Sequence, residues 1–197
     1  MSTMNSIECY NQTLEGDTKI MYNEAYFEKF DWIVPDNFHE LILTRLIGES
    51  VVDIGCGNGT LGEEIAKFCY SYLGVDISTY CYQEMKKKGL DCVITTEDSL
   101  FNFKVGFDVA CMFDVLEHLT DKQIVTLLDQ LPDSLIFSSP LEETPDETHI
   151  NVKTLAQWNS FFKKLGYAIE KIGEFVYPEP DGSHSITTVF HANKQTS

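Results

Sequence analysis

The run Val51-Val52-Asp53-Ile54-Gly55-Cys56-Gly57-Asn58-Gly59-Thr60 constrains the fold more than any other stretch of the chain. Its β-branched first half suits a strand buried in a parallel sheet. Three alternating glycines then let the backbone turn sharply and approach a ligand. Apolar periodicity resumes at Leu61, Ile65, Ala66 and Phe68, so the turn opens a helix whose free N–H groups would favour a negative group on that ligand. A dinucleotide turn, G-x-G-x-x-G, needs glycine at position 60, where this chain has Thr60. The pattern is G-x-G-x-G.

The alternation of strand and helix continues. Tyr72-Leu73-Gly74-Val75-Asp76 reads as a second strand ending in an acid one β-α-β unit after the first, and Cys92-Val93-Ile94-Thr95-Thr96 as a third. Phe107 to Phe113 forms a fourth strand and runs into Asp114-Val115-Leu116-Glu117-His118-Leu119. Thr120 with Gln123 is a capping box for an amphipathic helix through Leu127, Leu128 and Leu131. Leu135 to Ser139 supplies a fifth strand, and a helix with Leu155, Trp158, Phe161, Phe162 and Leu165 follows. Two last strands, Tyr167 to Tyr177 and Ser185 to Ala192, are joined by a turn.

These motifs, in this order, resemble the class I (Rossmann-like) S-adenosylmethionine-dependent methyltransferases of small-molecule type, over roughly residues 50 to 192. The resemblance implies a three-layer α/β sandwich with a mostly parallel seven-stranded sheet and a C-terminal antiparallel hairpin. It implies S-adenosylmethionine as cofactor and S-adenosylhomocysteine as product. Asp53, Gly55, Cys56, Gly57 and Gly59 would surround the methionine end, with the strand-four terminus at Phe113 closing that side. Asp76 and the adjoining Ile77 would take the ribose. Asp98, followed by Ser99, would meet the adenine edge, with Glu97 competing for that role.

A length of 197 residues suits one domain with a sizeable core. Residues 46–197 form the expected methyltransferase core and residues 1–45 a helical cap or lid, rich in aromatics such as Tyr10, Phe30 and Trp32. Pro35-Asp36 marks a helix start, with Phe38, Leu41, Ile42 and Leu46 on its apolar face. Tyr22 and Tyr26, one helical turn apart, are either core residues or a lid whose rings face the sulfonium through cation–π attraction, worth about 0.5–2 kcal/mol.

A formal charge of −17 repels phosphate backbones, so a nucleic-acid acceptor is disfavoured and a small molecule expected. Lys86-Lys87-Lys88 before Gly89 reads as a solvated helix end. The six cysteines show no C-x-x-C pairing and read as small buried hydrophobes, and no metal site is expected. No secretory signal or membrane-spanning run is visible, which points to the cytoplasm; the oligomeric state is open.

In-line displacement from a sulfonium asks the protein mainly for positioning, which contributes roughly 7–11 kcal/mol in well-oriented systems. An oxygen or ammonium acceptor also needs a base. The candidates are His149, in the acidic loop after strand five, and His118, after strand four. The competing role of His149 is to orient the turn into the next helix, with Asn151 as that helix's cap. Two other functions fit parts of the pattern: a nicotinamide-dependent oxidoreductase, against which Thr60 and the terminal hairpin argue, and a non-catalytic module retaining the fold.

Overall fold

The structure, a computed structural model, describes residues 22–29, 33–95, 106–143, 146, 148–178 and 184–195. Its strands are β1 (Ser50–Ile54), β2 (Ser71–Asp76), β3 (Cys92–Ile94), β4 (Val109–Phe113), β5 (Ser134–Ser139), β6 (Tyr167–Pro178) and β7 (His184–Lys194). They form one seven-stranded sheet in the order β3-β2-β1-β4-β5-β7-β6. The first five strands pair in parallel, while β7 runs antiparallel to both β5 and β6. The expected fold class is therefore observed.

The helices are α1 (Glu24–Lys29), α2 (Thr44–Leu46), α3 (Thr60–Ile65), α4 (Thr79–Lys87), α5 (Asp121–Leu128) and α6 (Leu155–Lys164). A wide, π-helical turn, His39–Leu43, leads into α2, and a 3-10 turn, Leu116–His118, follows β4. The expected helix start at Pro35-Asp36 lies slightly early: the Phe38 N–H bonds the Pro35 carbonyl and the Asn37 side chain reaches the Glu174 carbonyl, so regular turns begin only at His39.

Period-two alternation builds the layers. Val52, Ile54, Ala110, Met112, Leu135 and Phe137 face one side, packing with Ile124 and Leu127 of α5 and Trp158 and Phe162 of α6. Val51, Val109, Cys111 and Ile136 face the other, against Phe38, Ile42, Leu46, Ile65 and Met85. The expected boundary between cap and core, at residue 45, thus falls inside a helical stretch whose apolar residues belong to the sheet's core.

Capping boxes fix two helix entries. Thr120 with Gln123 opens α5 as expected, and Thr154 with Gln157 opens α6. Asn151 is not the α6 cap. Its N–H donates to the Glu117 carbonyl (2.9 Å) and its side chain to the Leu119 carbonyl (2.7 Å), which clasps the loop after β5 onto the turn after β4.

Candidate active site

At the carboxyl end of β1, Gly55, Gly57 and Gly59 take φ values of 70°, 57° and 82°, in the left-handed region that costs other residues about 1–2 kcal/mol. Their surroundings differ. A Cβ on Gly55 would lie 2.5 Å from Val115 Cγ2, one on Gly59 2.2 Å from Met85 Sδ, and one on Gly57 3.4 Å from the Phe27 ring. Gly59 therefore serves the packing of α4 on the turn, Gly55 admits the segment after β4, and Gly57 faces the N-terminal helix.

Most N–H groups of this turn are spent internally. Those of Gly55 and Cys56 share the Val75 carbonyl (2.7 and 3.2 Å), Gly59 donates to the Cys56 carbonyl (3.2 Å), and Thr60 to Asn58 Oδ1 (3.1 Å). Gly57 donates to Asp76 Oδ2 (2.9 Å). These bonds occupy the N–H groups of residues 55, 56, 57, 59 and 60, so a negative group would meet the turn through Asn58, Leu61 and Gly62, at the start of the six-residue α3. A nucleoside presenting hydroxyl and ammonium donors suits the remaining acceptors better.

Asp76 is half-buried and latches the site, taking the Gly57 N–H on one oxygen and the Ser78 N–H on the other (2.8 Å). Burial raises its pKa while those N–H groups pull it down. Ile77 follows it at the same edge. Asp53 points elsewhere. It shares the face of Val51, is 2% exposed, and accepts a hydrogen bond from Tyr72 Oη (2.8 Å) beneath the turn. Phe113 is likewise interior, its ring against Phe38 and Phe175. Burial pushes the Cys56 thiol well up, which argues against a thiolate nucleophile. Asp98, Ser99 and Glu97 lie outside the described residues, as do Tyr10, Phe30 and Trp32.

The segment 22–29 covers the turn. The Tyr22 carbonyl accepts from Ser78 Oγ (2.5 Å), and Phe27 stacks on Tyr80 (5.6 Å between centroids). Tyr22 and Tyr26 meet edge to face at 5.1 Å, and Tyr22 Oη lies 3.4 Å from His118 Nδ1. The two part-buried tyrosines thus pack on one another, with the Tyr22 ring edge to face with His118 at 6.1 Å. Phe27, another aromatic of this N-terminal segment, is the residue in contact range of Gly57.

Beside the turn, Asp114 takes the left-handed region (φ 54°) and is held there by Ser138, whose Oγ accepts the Asp114 N–H (3.0 Å) and donates to Asp114 Oδ1 (3.0 Å). Burial raises its pKa to about 6 against the pull of the Ser138 and Thr187 hydroxyls. Three residues on, Glu117 is fully buried, and burial first, then the Asp114 charge, pushes its pKa well up. His118 and His149 are brought together, their rings 4.7 Å apart. His118 Nδ1 meets the Thr148 carbonyl (3.2 Å) and hydroxyl (3.0 Å), and His149 Nε2 lies 3.8 Å from Asp146 Oδ2. Burial, reinforced by His149, lowers the His118 pKa to about 4, which makes it a weak base at neutral pH. Burial lowers His149 too, opposed by Asp146. Glu117, Asp114 and Thr148 were not singled out from sequence; the acid–x–x–acid–His spacing of residues 114, 117 and 118 was their only signal.

Comparison with known proteins agrees with this geometry. A family described as a methyltransferase domain matches residues 52–135. A ubiquinone biosynthesis O-methyltransferase of Pasteurella multocida is 32% identical over 118 residues, covering 50% of this chain and 49% of that protein. One from Salmonella paratyphi A is 32% identical over 106 residues, covering 49% and 44%. The chain thus spans about half the length of the curated relatives it matches. Among solved structures, magnesium protoporphyrin IX methyltransferase from Synechocystis, with bound S-adenosylhomocysteine, superposes with a TM-score of 0.66 at 16% identity, over 90% of this chain and 98% of that one. The methyltransferase domain of a bacterial Hen1 gives 0.58 at 20% identity, over 81% and 99%. Among the described residues, no helix is long and apolar enough to cross a membrane.

Proposed function

Because the chain belongs to the class I, Rossmann-like S-adenosylmethionine-dependent methyltransferases, we propose that it methylates an oxygen or nitrogen of a small-molecule acceptor. The cofactor supplies an activated methyl group on a sulfonium. The chain's own residues bind, orient and exclude water. Asp76, which takes the Gly57 and Ser78 N–H groups, accepts from ribose hydroxyls, and Ile77 lies against the nucleoside. Gly55, Cys56 and Gly57 bring bare backbone to the amino-acid end, with the chain leaving Phe113 as the facing wall. Asp53 acts from below, fixing β1 to β2 through Tyr72. Asp98 and Ser99 stay assigned to the adenine edge.

Tyr22, Tyr26 and Phe27 roof the site, and His118 and His149 mark the acceptor's side. Burial holds both tyrosine hydroxyls protonated, so the rings serve as an apolar and π-rich cover rather than as bases. Two features favour a small acceptor: the −17 charge, and likeness to proteins named for O-methylation in ubiquinone biosynthesis.

The observation that carries this reading is the bare turn at residues 55–57 latched to Asp76, with its N–H donors internally satisfied. Isothermal titration with S-adenosylhomocysteine tests it, with NADH as the competing ligand. Micromolar binding of the first and none of the second is expected. The reverse, or no heat with either, refutes it. A panel of phenols, catechols and amines with radiolabelled methyl donor then identifies the acceptor class.

A further inference from the structure

Glu117 has no role in the site as drawn so far. It is 0% exposed, and neither Oε atom has a hydrogen-bond partner among the described residues. The Ser139 hydroxyl, which also bonds the Pro140 carbonyl (3.3 Å), and the Glu117 backbone N–H lie close enough to draw the raised Glu117 pKa only partly back down. Burying a carboxylate without partners costs several kcal/mol, a cost normally met by a cation or a proton. Two imidazoles face it: ligand atoms of Glu117, His118 and His149 all lie within 4.8 Å of one another.

We infer that Glu117, His118 and His149 form a binding site for a divalent transition-metal ion at the acceptor side of the cofactor turn. One carboxylate and two imidazoles match what Zn²⁺, Mn²⁺, Co²⁺ and Fe²⁺ accept, and three protein ligands leave coordination positions for water or substrate. The surroundings supply supporting contacts of the kind that orient metal ligands. In the tautomer whose Nδ1–H donates to the Thr148 carbonyl, His118 Nε2 carries the lone pair a metal takes. Asp146 lies beside His149, and Asn151 ties its own loop to the Glu117 carbonyl, fixing the separation of the two segments. Asp114 adds a second buried carboxylate nearby, which favours net positive charge in the cluster.

The expectation that no metal site exists is revised accordingly. The cluster adjoins the cofactor turn, since Val115, two residues before Glu117, lies against Gly55. An ion there would bind an acceptor hydroxyl in an open position and lower its pKa. The proton would leave to water, and the oxygen would keep the electron pair needed for attack without a protein base. That use rests on the methyl-transfer reading; the cation site itself does not.

The test is metal binding by the chelator-stripped full chain. Manganese is followed by loss of the free-ion electron paramagnetic resonance signal, and cobalt by its ligand-field absorption, with S-adenosylhomocysteine binding measured in parallel. The wild type is expected to take up one ion. Glu117→Gln, which keeps shape but removes the charge, and His149→Ala, on a half-exposed loop, should each weaken uptake about tenfold or more, with nucleoside affinity largely retained. If Glu117→Gln fails to fold, His149→Ala and wild type decide. Wild type that binds nucleoside but neither ion overturns the inference and leaves the methyltransferase reading standing. So would variants that bind both ions like wild type, since Glu117 would then be a protonated interior acid. Ion uptake without nucleoside binding supports the metal site and counts against methyl transfer.

Discussion

Replacing Asp53 by Asn isolates the energetic cost of holding an ionisable group beneath the cofactor turn. Burial lifts the Asp53 pKa from an ordinary 3.8 to about 7, with the Tyr72 hydroxyl pulling the other way. The folded form therefore holds a proton that the unfolded chain releases over that interval. Stability from this group is full below the unfolded value and is lost as pH rises through about 7. At about 1.36 kcal/mol per unit the whole loss is about 4 kcal/mol, of which roughly 3 falls between pH 5 and pH 8. Asn cannot ionise yet keeps a carbonyl oxygen for Tyr72 Oη, now 2.8 Å from Asp53 Oδ2. Any defect from its extra N–H groups is the same at every pH. Urea unfolding of both proteins at the two pH values is the assay. The stability difference should move in favour of Asp53→Asn by roughly 3 kcal/mol on going from pH 5 to 8. A difference that stays flat across that range refutes the claim that this carboxyl is buried and proton-linked.

Gly57→Val should abolish S-adenosylhomocysteine binding by calorimetry, since a branched side chain at φ 57° is strained and its Cβ starts 3.4 Å from Phe27. Asp76→Ala should lose nucleoside affinity and also about 1–3 kcal/mol of stability in urea, because the Gly57 and Ser78 N–H groups lose their acceptor. Thr154→Ala should cost about 1 kcal/mol by removing the α6 capping box, leaving nucleoside binding unchanged. His118 gives the opposite pH slope to Asp53. Its folded pKa of about 4 lies below the ordinary 6.5, so its contribution is present above 6.5 and lost as pH falls towards 4, and thermal melts of a His118→Gln variant should lack that acid-side loss.

The sheet was legible because adjacent residues report opposite faces: Val51 and Val52, or Cys111 and Met112, divide between the two helical layers as a period of two demands. Glycines at 55 and 57 were legible as a bare turn for the same local reason. What that turn offers a ligand was not, because its donors are consumed by the Val75 carbonyl and the Asp76 carboxylate, about twenty positions away in sequence. Asn151 shows the same limit. As a residue type it suits a helix cap, yet Thr154 with Gln157 wins that position by satisfying two backbone groups at once, and Asn151 instead clasps the Leu116–His118 turn. With the loop clasped in this way, the His149 ring lies 4.7 Å from that of His118, between centroids, so two base candidates far apart in sequence become neighbours. Glu117 reads in sequence as one more polar residue of a turn. Its complete burial, with the Asp114 carboxyl nearby and two imidazoles facing it, comes from the fold and not from the local sequence, and the proposed metal site rests on that burial.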